Sequence, residues 1–137
     1  MHTLGTPDSD VVLRGADSGP NYGADSVSRA MSEIRKELPE DSAASDGLII
    51  DCPHGNSGKD GHQQARVVRN IASRIAGGER GMSGVMMESV IEGGTQPAGP
   101  LPSLIYGKSI TDRCLSWTDT ETLLRDLAQA VLTRRWI

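Results

Sequence analysis

Phenylalanine is absent from this chain of 137 residues, and tryptophan, tyrosine and cysteine number only two each. Without Phe, a core must rest on Val, Ile, Leu, Met and Ala, drawn from a hydrophobic content of 36%. Cys52 and Cys114 are too few for a disulfide framework and too far apart in sequence for a zinc knuckle, so a reduced pair is expected. No apolar run approaches the roughly 20 residues of a membrane span. The N-terminal stretch carries acids, Gly and Pro where a secretory signal needs an apolar centre. A basic stripe is missing as well: the net charge is −4, with Lys and Arg scattered singly, which argues against nucleic-acid and membrane-surface partners. A cytoplasmic protein is expected. Its length allows one domain at most, spanning 1–137, and a core of that size is stable only if its apolar faces find partners.

What is present is a set of apolar patterns of two kinds. Residues 23–38 place Val27, Ala30, Met31, Ile34 and Leu38 at helical spacing, with Asp25 or Ser26 as N-cap and Pro39 as a stop. A second helix is expected from about Gln63 to Ala76, with Val67, Val68, Ile71 and Ile75 on one face and Gly77-Gly78 closing it. A third begins at Thr118-Asp119-Thr120-Glu121, which reads as a capping box. It continues through Leu123, Leu124, Leu127, Ala128, Val131 and Leu132, which should dock firmly. Arg134 and Arg135 suit the negative end of its dipole. Between the helices lie short, non-alternating apolar runs: Val11-Val12-Leu13, Leu48-Ile49-Ile50 and Gly84-Val85-Met86-Met87. Such runs suit parallel strands buried on both faces. Strand and helix alternate three times, which implies an α/β fold of three right-handed β/α units. Residues 92–107, rich in Gly and Pro, are expected to form a long loop.

Polar residues gather where each strand ends: Arg14-Gly15 after the first, Asp51-Cys52-Pro53-His54 after the second, Glu88-Ser89 after the third. In parallel α/β folds, ligands meet the loops at the carboxyl ends of strands, so these residues should converge. His54 and Glu88, with Asp112 before the last helix, offer one imidazole and two carboxylates, a donor set for Mn²⁺, Fe²⁺, Co²⁺ or Zn²⁺. Each of the three taken singly is more readily a hydrogen-bonded polar group at a loop start; the joint pattern raises the case for a site. Arg14 can grip a phosphate or carboxylate bidentately, or simply form an ion pair. Lys59 closes Gly55-Asn56-Ser57-Gly58, a small-residue loop able to approach an anion, although without P-loop spacing such loops are usually turns. Cys52 reads as a small buried thiol.

Taken in order, these motifs resemble one family. Val12-Leu13-Arg14-Gly15 with Pro20-Asn21-Tyr22, Asp51 through Lys59, Gly84 through Ser89, Tyr106 through Asp112 with Cys114 and Trp117, and Asp119 through Leu124 resemble the late strands of class I DAHP (3-deoxy-7-phosphoheptulonate) synthases. The resemblance implies a partial (β/α)₈ TIM barrel of about the last three β/α units, with parallel strands and packed helices. It implies metal-dependent condensation of phosphoenolpyruvate with erythrose 4-phosphate, the entry to aromatic amino acid biosynthesis. His54, Glu88 and Asp112 fall on three of the family's metal ligands and Arg14 on an arginine that binds phosphoenolpyruvate. Arg14, His54 and Lys59 are thus the candidate catalytic residues, with Arg14 and His54 also meeting substrate. The sequence departs from the family at Pro53, where the family has Ser, and over Val90–Gln96. A Pro-rich, insertion-like loop, Pro97–Ser103, further separates Glu88 from Asp112.

Earlier β/α units of such a barrel would carry the fourth metal ligand, a cysteine, and most phosphate-binding Arg and Lys residues. Activity of the DAHP synthase type is therefore expected only on assembly, as a homo-oligomer or with a complementing N-terminal-half protein. The substrate would be a phosphorylated small molecule or keto acid. The alternatives are a non-catalytic metal-binding or accessory protein, and a different carbon–carbon bond-forming reaction on the same scaffold.

Overall fold

The computed structural model describes residues 10–37 and 47–136. Three strands, β1 (Val11–Leu13), β2 (Leu48–Asp51) and β3 (Met82–Met86), form one sheet in the order β1-β2-β3. Both pairings are parallel, Val12 facing Ile49 and Asp51 facing Met86, with a register shift between Leu48 and Ile49. The central strand matches the expectation of a strand buried on both faces: Leu48 and Ile50 are inaccessible. The outer strands do not. Val11 and Val12 are 42% and 40% exposed, and among the described residues β1 has a hydrogen-bonded neighbour on one side only. An unpaired strand edge of this kind invites another strand.

Helix α1 (Ala24–Glu37) buries Val27 and Met31, and helix α2 (Gly61–Ala76) buries Val67, Val68, Ile71 and Ile75, the stripe anticipated from spacing. α1 starts earlier than Asp25 or Ser26 would place it, since the Val27 N–H already bonds the Gly23 carbonyl; Asp25 instead sits in the first turn, favoured by the dipole. Leu38 and Pro39 lie outside the described residues. α2 begins at Gly61 because the Asp60 carboxylate accepts the His62 N–H, and it closes as foreseen when Gly77 and Gly78 bond Ser73 and Ile75 carbonyls.

The last helix, α3 (Trp117–Arg134), also begins earlier than expected. Ser116 is its N-cap, accepting the Asp119 N–H at 3.1 Å and donating its hydroxyl to the Asp119 carboxylate at 2.7 Å. The reciprocal cap thus uses Ser116 and Asp119, not Thr118 and Glu121. Its buried positions are Thr120, Leu123 and Ala130, while Leu124 and Leu132 stand 45% and 47% exposed. Firm docking therefore holds for one side of the expected stripe, where α3 lies against α2.

The stretch expected to be a long loop is partly strand. β4 (Ser89–Val90) pairs in parallel with β7 (Leu115–Ser116), and β5 (Glu92–Thr95) with β6 (Lys108–Ser109). Two glycines hid β5 from a propensity reading: Gly93 sits so close to Ser116 that an added Cβ would lie 3.1 Å from its backbone nitrogen. Among the described residues no helix is long and apolar enough to cross a membrane.

Candidate functional site

The carboxyl ends of β1, β2 and β3 meet, as their order requires. Where β1 turns outward, Gly15 has φ +90°, and a Cβ there would fall 2.6 Å from the Gly55 carbonyl carbon. Only glycine permits that approach. The Gly55 N–H then bonds the Arg14 carbonyl at 3.1 Å, drawing the loops after β1 and β2 together. Asn56, 4% exposed, stitches them further: its amide donates to the Leu13 and Asp51 carbonyls at 2.9 Å and its oxygen accepts the Asn21 N–H. Asn21 in turn accepts the Gly15 N–H. Among the described residues no buried side-chain nitrogen or oxygen lacks a partner.

Asp51 is the last residue of β2 and is 1% exposed. Both of its carboxylate oxygens lie 2.8 Å from His54 Nδ1, and the Arg14 Nε lies 3.8 Å from Oδ2. The other ring nitrogen, His54 Nε2, faces Glu88 Oε1 at 3.6 Å. Glu88 is placed by α2: its N–H donates to Gln64 Oε1 at 2.7 Å and its carbonyl accepts from Gln64 Nε2 at 3.4 Å. Its neighbour Ser89 shares a 2.6 Å hydroxyl contact with Thr120 of α3. Burial, and then the Asp51 charge, push the Cys52 thiol up to about 12, consistent with an inert core cysteine.

Of the residues singled out in the sequence, Arg14, His54 and Glu88 are thus brought together, with Asp51 linking the first two. The Arg14 side chain is 65% exposed, leaving its guanidinium open to a ligand. Lys59 is exposed, sits at φ 63° in the turn before α2, and makes no side-chain hydrogen bond or ion pair among the described residues. Asp112 lies exposed in the turn before β7, where its carbonyl meets Cys114 Sγ at 3.5 Å. Burial first, then the Glu88 and Asp112 carboxylates, raise the Cys114 thiol against a lowering hydrogen bond from Ser109.

As a donor set, His54 Nε2 and Glu88 Oε1 suit two positions of a divalent cation: an imidazole nitrogen and a carboxylate oxygen, with Nδ1 held by a second carboxylate. Asp112 is not gathered with them; among the described residues no three His, Cys, Asp or Glu side chains converge closely enough to hold a metal ion. The sequence reading placed Asp51 and Asn56 in the strand-end cluster and its loop but gave neither a role of its own, and it did not single out Gln64. Gln64 did leave a signal, a polar residue at i−3 and i−7 to Val67 and Ile71 on an otherwise apolar helix face.

Comparison with known proteins places this geometry. The profile of the DAHP synthetase I family matches residues 2–125. The chain belongs to this family. Among its relatives is the tyrosine-inhibited phospho-2-dehydro-3-deoxyheptonate aldolase of Schizosaccharomyces pombe, 43% identical over 138 residues that cover 97% of this chain and 36% of that protein. The Phe-sensitive aldolase of Escherichia coli is 40% identical over 136 residues, covering 98% and 37%. The solved structure of the phospho-2-dehydro-3-deoxyheptonate aldolase from Francisella tularensis SCHU S4 superposes with a TM-score of 0.84 at 36% identity, over 96% of this chain and 37% of that one. This DAHP synthetase I chain therefore spans little more than a third of the length of these relatives.

Proposed function

We propose that these residues form the last three β/α units of a (β/α)₈ barrel, a single domain, which takes part in condensing phosphoenolpyruvate with erythrose 4-phosphate once the remaining strands complete it. The observation that carries this reading is His54 Nε2 set 3.6 Å from Glu88 Oε1 at the ends of neighbouring parallel strands, with Arg14 beside them through Asp51. The names of the relatives, phospho-2-dehydro-3-deoxyheptonate aldolases, support it. The completing strands come from the same polypeptide, a second copy or a complementing N-terminal-half protein. The β1 edge, which no strand covers among the described residues, with Val11 and Val12 exposed, favours such an addition. The protein would work in the cytoplasm.

Within the completed site, His54 and Glu88 hold a divalent metal (Mn, Fe, Co or Zn), joined by Asp112 when the segment that carries it is covered. When bound, that metal supplies Lewis-acid polarisation of the aldehyde carbonyl. Arg14, held only by a long contact to Asp51, offers its planar fork to the phosphate or carboxylate of phosphoenolpyruvate. Lys59 adds a second positive charge from the loop before α2.

Native mass spectrometry of the purified chain with and without Mn²⁺, repeated on His54→Ala and Glu88→Gln, tests the metal assignment. Each variant should lose at least the 10- to 100-fold, in rough terms, that removing an outer partner of a metal ligand costs. Unchanged Mn²⁺ affinity in both variants would remove His54 and Glu88 from the ligand set.

A further inference from the structure

We propose that Asp51 is a positioning residue: it selects the Nδ1–H tautomer of His54 and so keeps the Nε2 lone pair turned toward Glu88. Its functional meaning rests on the reading of His54 as a metal ligand; its geometry does not.

A carboxylate only accepts hydrogen bonds, so a ring nitrogen 2.8 Å from both Asp51 oxygens has to carry the proton. Neutral imidazole has one N–H, which leaves Nε2 bare. The other tautomer would set the Nδ1 lone pair against two buried carboxylate oxygens, forfeiting a charge-assisted hydrogen bond where water does not replace it. Asp51 also accepts the His54 backbone N–H through Oδ1 at 3.3 Å, so ring and backbone are fixed to one group. That group is itself immobile. Asp51 is registered against Met86 in the sheet, its carbonyl accepts from Asn56, and it is 1% exposed. In the neutral ring that tautomer sets an Nε2 lone pair against a Glu88 carboxylate oxygen at 3.6 Å, two acceptors with no proton between them. A shared cation satisfies that arrangement, and a bare Nε2 is what a metal requires of histidine.

The experiment is a long-range ¹H–¹⁵N correlation spectrum of the ¹⁵N-labelled chain without metal, with the imidazole neutral and His54 assigned by its loss in His54→Ala. Wild type should show Nδ1 protonated and Nε2 bare. Asp51→Asn, which can donate to Nδ1, and Asp51→Leu, which offers no acceptor, should shift His54 to Nε2–H. Both should weaken Mn²⁺ binding by about 10- to 100-fold. A wild-type spectrum with Nε2–H overturns the inference, even if a variant fails to fold; so does retention of Nδ1–H in both variants. A tautomer that switches as expected in a chain without Mn²⁺ affinity keeps the inference and removes the metal reading. Mn²⁺ bound through His54 and Glu88, with the tautomer indifferent to Asp51, keeps the metal reading and removes the inference.

Discussion

Two stretches of this chain are built on opposite plans. From Leu48 to Ile75, a strand, a tight loop and a helix supply most of the core, with Leu48, Ile50, Cys52, Val68 and Ile71 fully inaccessible. From Ser89 to Cys114 no residue is buried, and Ile91, Leu101, Ile105, Tyr106 and Ile110 are all more than half exposed. The first stretch has its own packing partners in β1, β3, α1 and α3. The second has short strand pairings and little beneath them. The site inherits this difference. His54 lies on the packed stretch and Glu88 just before the open one, anchored by Gln64, while Asp112 lies within it. A side chain is positioned only as well as the backbone beneath it, which is why two donors are brought together and the third is not.

The sharpest way to break this contrast is to truncate a core residue of the packed stretch. Ile71→Ala, at a fully buried position, should cost about 2–5 kcal/mol in urea unfolding. A cost below about 1 kcal/mol would mean that α2 is not the keystone of the core. Next in size is Gln64→Leu, which removes both bonds to the Glu88 backbone and should cost about 1–3 kcal/mol. Because Gln64 positions Glu88, Mn²⁺ affinity should fall along with stability; a loss of stability alone would make Gln64 merely a packing residue. Ser116→Ala, at the junction where the open stretch enters α3, deletes the helix cap, and a loss of about 1 kcal/mol in the same unfolding measurement is expected. Smallest is Leu101→Ala in the open stretch: 86% exposed, it should change stability by no more than about 0.5 kcal/mol. A substantially larger effect would show that the 89–114 segment is covered in solution, by a second copy or another chain.

Much of the fold was legible because helical spacing reports burial directly. The α2 stripe and its Gly77-Gly78 end followed from periodicity and from glycine's role at helix ends. Helix starts were less legible: Asp25 and Thr118 carry capping chemistry, but so do other residues nearby, and Ser116 with Asp119 made the better reciprocal pair. β5 escaped notice because Gly93 and Gly94 are poor strand formers by propensity: Gly93 is required by its closeness to Ser116 and Gly94 by its φ of +93°. The grouping of Arg14, His54 and Glu88 was legible because polar residues at strand ends stand out against apolar runs. Asp51 stood in the same cluster, and nothing in its spacing separated it from a solvated carboxylate.

Residue types and their order by themselves determined that this is an α/β chain of alternating units, which face of α2 packs into its core, and which family's motifs it carries. These are properties of local pattern, written in spacing and identity. Only the tertiary structure decided that Asp51 is buried against His54, that Gln64 reaches across 24 positions to hold Glu88, and that Asp112 stays outside the cluster. Each depends on distances between segments remote in sequence, set by strand register and by whether the backbone beneath a side chain is packed.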